Sequence, residues 1–355
     1  MRKFLLLVFP ITLLGLCPFA RAQSTAADLR GVYLYTNNLE QIAAPNLKQL
    51  STAIKLPGVD GVAIVIGWAA IEPAIGQYDW SLLDDWIAQS VAAGLKIDLV
   101  VAAGSSTPSW LFLPAPKGAA AQQLTFTVSP HDGATGKCDS DITAKPWDPA
   151  FLTQWDAMLA ALAAHLKSAG TYNAITLLRL TGINRTTEEL RLPAETPQGS
   201  GLTCVTDALA LWQQAGYRPS LLLQGWNSIL ASFAKSFPDK YFGVSLITAN
   251  AFPAIGEDGS LLTGAAASVD RSAPLITLAS QKLPARLIVQ FDFLMPGEAP
   301  SPQVINYAQT LGTLVAWQTN EYFGPLGSAC SEHCPALPGS TPHAHQRGRS
   351  DGSHR

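Results

Sequence analysis

Residues 59–110 read VDGVAIVIGWAAIEPAIGQYDWSLLDDWIAQSVAAGLKIDLVVAAGSSTPSW, and the fold turns on this stretch. Two short apolar runs, Val59 to Ile66 and Lys96 to Val101, flank an amphipathic segment from Ser81 to Ala93. Continuous apolar runs this short, joined by a helical pattern, predict parallel strands buried on both faces and a βαβ crossover between them. Polar and aromatic residues collect just after each run: Trp68, Glu72 and Pro73, then Ser105, Ser106, Pro108, Ser109 and Trp110. In parallel α/β proteins these are the carboxyl ends of strands, where sites are built. Trp80, Leu83 and Trp86 have the spacing of one helix face, and Tyr78 and Asp79 start and cap that helix.

The same alternation continues outward. Before this stretch, a strand is predicted over Leu29 to Tyr35, with Asn37 and Asn38 at its end, and a helix over Ala44 to Ile54. After it, Thr107 to Pro149 is rich in Pro, Gly, Asp and Ser and too long for a simple connector; it is either a wall beside a site or a surface excursion. Asp148 then opens a helix from Pro149 to Lys167, with proline at the favoured first position and apolar residues at Leu152, Trp155, Leu159, Leu162 and Leu166. Further strands are predicted at Ala174 to Leu180, Tyr241 to Ile247, Leu287 to Phe293 and Leu314 to Gln318. Helices are predicted over Val205 to Gln214, Pro219 to Phe237, Ser272 to Ser280 and Pro302 to Leu311, and the pattern blurs between Phe252 and Pro284.

A motif sits on the opening stretch. Trp68 to Asp84 reads W-x-x-I-E-P-x-x-G-x-Y-D-W-S-x-L-D, and Gly94 to Leu111 carries a G-L-K strand and P-S-W-L. This resembles the second and third βα units of retaining (β/α)8 glycoside hydrolases, closest in style to the β-galactosidase- and cellulase-like members. The resemblance implies an α/β fold of the TIM-barrel type, an oligo- or polysaccharide substrate, and two catalytic carboxyl groups. It also implies that an acid/base glutamate follows the fourth strand, commonly right after an asparagine, and that a nucleophile follows the seventh.

In this chain the fourth predicted strand runs into TGINRTTEE, so Asn184 is present but Glu188 and Glu189 come four and five residues later. Either glutamate is a candidate acid/base, with Glu189 favoured, and the loop must fold back to aim it. The alternative is an acidic pair that only solvates the loop. Arg179 and Arg185 are candidate partners for these carboxylates. The seventh predicted strand ends in WQTNEY, which carries the nucleophile role onto Glu321. Trp68, Trp110, Asn184, Gln290, Asp292, Trp317 and Tyr322 are candidate substrate-binding residues. Each has a plainer reading: Trp68, Trp110 and Trp317 as packing, Gln290 and Asp292 as an internal hydrogen-bond network on one face of their strand. Glu72 reads as a loop anchor.

The ends of the chain differ in character. Residues 1–22 read as a secretory signal: Arg2 and Lys3, an apolar run from Phe4 to Leu16, and Ala20-Arg21-Ala22 before Gln23. That apolar run is short for a membrane span, so a secreted or periplasmic protein of 333 residues is expected. Loss of Arg2, Lys3 and Arg21 takes the formal charge from −3 to −6. Such a balance, without a basic stripe, disfavours a nucleic-acid partner. Export permits disulfides. Cys138 and Cys204 fall in loops after neighbouring strands and could staple them, while Cys330 and Cys334 are close enough to pair locally. Composition shifts abruptly near Gly327, so 23–327 reads as the barrel and 328–355 as a disordered or aberrant tail. No apolar run for an eighth strand follows, so the barrel lacks its last strand and helix or the blurred region hides a strand.

No G-x-S-x-G, H-E-x-x-H or glycine-rich phosphate loop is present. No cofactor and no metal site are expected, and the oligomeric state is left open. The sequence thus reads as a secreted glycoside hydrolase with a two-carboxylate, retaining mechanism. The alternative is a catalytically inactive, carbohydrate-binding TIM-barrel protein.

Overall fold

A computed structural model of the chain describes residues 29–42, 44–129, 138–185, 187, 189–246, 251–294 and 302–319. Seven strands form one parallel sheet: β1 (Tyr33–Asn38), β2 (Gly61–Gly67), β3 (Lys96–Ala102), β6 (Ile175–Arg179), β7 (Tyr241–Leu246), β8 (Leu287–Leu294) and β9 (Leu314–Thr319), neighbours in that order. Two further strands, β4 (Gln123–Val128) and β5 (Asp139–Ala144), make a separate antiparallel hairpin between β3 and β6 in the chain. Strand neighbours in space are neighbours in sequence apart from that hairpin, which is the (β/α)8 arrangement with seven of its strands among the described residues.

Helices fill the crossovers. They are α1 (Ala44–Ala53), the single turn α2 (Trp68–Ile71), α3 (Ser81–Ala92) and α4 (Pro149–Ser168). A second single turn, α5 (Pro197–Ser200), precedes α6 (Ala208–Gln214) and α7 (Pro219–Ser236). A third, α8 (Gly264–Ala267), precedes α9 (Ala273–Lys282) and α10 (Pro302–Leu311).

Every residue of β2 is buried, as a strand covered on both faces requires. α3 turns Leu83, Trp86 and Ile87 inward, and Gly94, with φ of 72°, makes the left-handed exit into β3. Asp148 caps α4 by accepting hydrogen bonds from the amides of Ala150 and Phe151. α4 packs on α7, and α7 on α9, so the outer layer is continuous around β6 to β8.

The strands follow the apolar runs closely, with one shift. β1 begins at Tyr33 rather than Leu29, because parallel pairing of Tyr33 with Gly61 sets its register and leaves Gly31 and Val32 exposed. The long segment after β3 holds a hairpin that its composition hides. Among the described residues no helix is long and apolar enough to cross a membrane.

Candidate active site at the strand ends

The segment that leaves β6 explains how a glutamate so far from the strand returns to it. Thr181 Oγ1 donates to the Val101 carbonyl at 2.5 Å, fixing the exit beside β3. Gly182 has φ of 99°, and a Cβ there would meet Ile229 and the Trp155 indole at 3.2–3.3 Å. Asn184 then closes the loop on itself. Its Oδ1 accepts from the amides of Gly182 (3.1 Å) and Ala103 (3.3 Å), and its Nδ2 donates to the Thr187 carbonyl at 2.9 Å. Asn184 pairs with Leu190 through an antiparallel bridge, and the Leu190 amide donates to the Ser245 carbonyl at 2.8 Å. The loop therefore folds back, and Glu189 lies where the returning limb meets the carboxyl end of β7.

Glu189 is buried, with 8 % of its side chain exposed. Thr187 Oγ1 donates to its Oε2, and an Arg191 Nη2 stands 3.7 Å from the same oxygen. The arginines proposed as its partners are engaged elsewhere. Arg179 bonds Asp98, and Arg185 bonds Asp141 and Glu195; Arg191 is the arginine that approaches Glu189. Asn184 is only 2 % exposed, and its side-chain amide bonds within the loop and to the turn after β3.

The turn after β3 packs against this loop. Gly104 has φ of 52°, a Cβ there would fall 1.7 Å from the Arg185 carbonyl, and the Ser105 amide donates to that carbonyl at 2.9 Å. The hairpin rests on the same turn. Asp141 on β5 receives the Arg185 Nε, Glu195 receives its Nη1 at 2.8 Å, and a Cys138–Cys204 disulfide joins the hairpin to the segment before α6. The hairpin is thus a fixed wall on the rim, stapled as the cysteine positions allow. Burial works to lower the Arg185 guanidinium, but the hydrogen bonds and charges of Asp141 and Glu195 raise it above its ordinary value.

Beneath the rim, β3, β6 and β7 share a polar cluster. Arg179 Nε and Nη2 reach Asp98 Oδ2 at 2.7 and 2.6 Å, and Nη1 donates to Ser245 Oγ at 2.6 Å. Gln290 pairs in register with Ser245 and is 4 % exposed, on the internal side of its alternative readings. Burial pushes the Asp98 carboxyl up against the pull of Arg179, and burial with nearby Asp98 and Asp60 pushes the Tyr33 hydroxyl up to about 12.

Trp68 and Trp110, candidates for substrate binding or packing, are packed in the structure. Trp68 is fully buried, with its ring 5.8 Å from Trp110 and 5.2 Å from Trp155, both edge-on; Trp110 is 4 % exposed. Both indoles serve Glu72: Trp68 Nε1 donates to its carboxylate at 2.7 Å and Trp110 Nε1 to its carbonyl at 2.8 Å. Glu72 also accepts from the Gly76 amide at 2.8 Å, and so anchors the loop. Burial raises its carboxyl above the ordinary value, opposed by the bonds from Trp68, Gly76 and Tyr78.

Glu188, Glu321 and Tyr322 lie outside the described residues, as do the side chains of Asp292 and Trp317. The backbone of Trp317 pairs with Phe291, and Asp292 falls within β8. Sequence reasoning missed Asp98, Ser245, Asp141, Glu195 and Arg191. The signal for the first was present: a lone aspartate in KIDLVVA and a lone arginine in ITLLR are opposite charges in neighbouring apolar strands, and each needs a partner. Among the described residues, no group of three or more His, Cys, Asp or Glu is placed to hold a metal. A shallow depression of about 390 Å³ between the hairpin and α6 is lined by Gln122, Gln123, Leu124, Lys145 and Gln214 among others, and by none of the candidate site residues.

Residues 37–134 match the model of glycoside hydrolase family 42, described as beta-galactosidase. The match runs from the end of β1 through β4 and stops before β5, Asn184 and Glu189. The comparison with curated proteins found no match. Among solved structures, the chain superposes on the catalytic domain of a beta-amylase from Paenibacillus polymyxa with a TM-score of 0.56, at 16 % identity, over 82 % of this chain and 86 % of that one. The xylanase XynB from Paenibacillus barcinonensis gives 0.45 at 12 % identity, over 83 % and 71 % of the two chains. A beta-galactosidase from Bacillus circulans sp. alkalophilus gives 0.44 at 13 % identity, over 79 % and 42 %. The first of these superpositions is close enough to speak to the fold, and it is the barrel fold. The chain thus has the barrel fold, and across residues 37–134, from the end of β1 through β3 and β4, it is similar to a glycoside hydrolase family built on that fold.

Proposed function

We propose that this protein is an exported retaining glycosidase that cleaves an O-glycosidic bond with Glu189 as acid/base and Glu321 as nucleophile. The observation that carries the reading is the folded-back loop after β6, which sets a buried, hydrogen-bonded glutamate at the carboxyl end of β7. In the first step a Glu321 oxygen bonds to the anomeric carbon. The glycosidic C–O bond breaks, and Glu189 gives its proton to the leaving oxygen. In the second, Glu189 takes a proton from water, whose oxygen displaces Glu321 from the sugar. This needs the two carboxyl groups about 5–5.5 Å apart on one rim, whatever their separation in sequence. Glu321 follows the end of β9 by two residues, which supports a place on the same rim as Glu189.

Export is supported by the signal-like first 22 residues and by the disulfide, which persists in oxidising compartments. The rival reading, a carbohydrate-binding barrel without catalysis, draws on the displacement of the glutamates from Asn184; the return of Glu189 to the end of β7 supports catalysis over it. Aryl β-galactosides are the first substrates to try, because the matched family is described as beta-galactosidase. Following the anomeric proton of the first-formed sugar by NMR tests the stereochemistry. Retention is the expected outcome; the opposite anomer would replace the nucleophile with a water-activating base and require about 6.5–9.5 Å between the carboxyl groups.

A further inference from the structure

We infer that Arg179 is a positioning residue for Glu189, acting through Ser245 from inside the barrel. The inference rests on the reading of Glu189 as acid/base and deepens it.

Arg179 closes β6, a strand otherwise made of Ile175, Thr176, Leu177 and Leu178. It is 5 % exposed and points inward, between Asp98 on β3 and Ser245 on β7. Space for it is made by Gly243, where a Cβ would stand 2.9 Å from Arg179 Cδ. Two of its nitrogens hold one oxygen of Asp98, and the third donates to Ser245 Oγ at 2.6 Å. Asp98 Oδ1 is buried without a hydrogen-bond partner among the described residues, and Asp98 uses its other oxygen to orient the guanidinium. Buried ion pairs add little net stability over apolar packing of the same volume. Packing alone therefore gives no reason for charges here, whereas direction does, because a planar fork held at Asp98 fixes where its Nη1 is aimed.

What it meets is the anchor of the loop. The Ser245 carbonyl accepts the Leu190 amide at 2.8 Å, and Glu189 is the preceding residue. The path from guanidinium to carboxylate is one side-chain hydrogen bond, one main-chain hydrogen bond and one peptide unit. Asn184 and Thr187 hold the other limb of the same loop. A shift of Ser245 moves Glu189 relative to a leaving oxygen, and general acid catalysis is sensitive to such a displacement.

The test uses the full-length protein and two aryl glycosides of one sugar, with phenol and 2,4-dinitrophenol as leaving groups. Phenolate departs poorly and needs the proton; dinitrophenolate does not. Ser245→Ala removes the Arg179 contact and keeps the ion pair with Asp98. Its kcat/KM on the phenyl glycoside should fall about tenfold, with a much smaller loss on the dinitrophenyl glycoside. Glu189→Gln should show the same selectivity, larger. An equal loss on both glycosides in Ser245→Ala, with Glu189→Gln selective, overturns the inference and leaves Glu189 standing. If Glu189→Gln is itself unselective, the acid/base assignment fails and the inference with it. Should Ser245→Ala fail to fold, Arg179→Lys gives the same reading, since one ammonium on a shorter stem cannot hold Asp98 and Ser245 together, and its loss must show the same selectivity.

Discussion

Glu72 and Glu189 are both buried glutamates that follow barrel strands, and their surroundings separate them. Glu72 is surrounded by donors that lock it: two indoles, a main-chain amide and the Tyr78 hydroxyl. Its folded carboxyl binds a proton more tightly than the ordinary value of 4.5, chiefly through burial. The native state therefore binds more proton at this group than the unfolded chain does, and the group's contribution to stability falls as pH rises from 4.5 through the raised folded value. Glu72→Gln removes that slope. Urea unfolding of both proteins across this window should show the stability of the wild type, relative to the variant, declining as pH rises. A difference that stays flat or grows would mean that Glu72 is not carrying the burial cost. Glu189 instead faces a hydroxyl and one distant guanidinium at the carboxyl end of β7. From sequence the two differed only in loop length, and Trp68 and Trp110 were ambiguous because an indole serves a core and a sugar equally well. In the structure both indoles are buried, which a single sequence does not encode locally.

At the scale of elements, the parallel strands were legible because buried strands are continuous apolar runs, and the runs at residues 61–67, 96–102 and 287–294 carry that pattern plainly. The hairpin was not. QLTFTV and DSDITA are short, half polar and set in a stretch rich in turn residues, so neither gives an apolar run. The two strands pair through their own antiparallel ladder, and long-range contacts hold the hairpin in place: Arg185 to Asp141, Thr127 with Thr206, Ser129 to Glu195, and the disulfide across 66 residues. The chain-entropy account of such a cross-link gives about 2–4 kcal/mol of stability. Replacing Cys138 and Cys204 together by serine should lower the free energy of unfolding by about that amount, read from urea midpoints, and speed proteolysis within residues 123–144. The double variant should still fold, because Arg185 and the Thr127–Thr206 bonds remain. Unchanged stability and cleavage would mean that the other contacts suffice.

At the scale of the molecule, seven parallel strands in sequential order bring loops from distant parts of the chain onto one rim. The loop after β6 lies beside the turn after β3 and the end of β7, and the hairpin closes over them. The barrel, and the likeness to a glycoside hydrolase family that the match over residues 37–134 reports, could be anticipated from residues 59–111, since alternation and motif agree there. The need for a folded-back loop and the presence of Asn184 were legible too, but not how Glu189 returns to the rim, because that depends on the left-handed turn at Gly182 and on the Ser245 carbonyl, which no local pattern marks. The charged core of Asp98 and Arg179 was visible as two isolated charges in apolar strands, but only their spatial adjacency makes them a pair.

The central claim is two-carboxylate glycoside cleavage. Its most direct test is turnover of nitrophenyl β-galactoside and a panel of related aryl glycosides and β-glycans by the wild type and by Glu321→Gln, with circular dichroism confirming that both fold. The account predicts release of sugar by the wild type and a loss of about 10⁴-fold or more in the variant, as expected when a barrier-splitting nucleophile is removed. Equal turnover by the two proteins, or none from a cooperatively folded wild type across the whole panel, would contradict it.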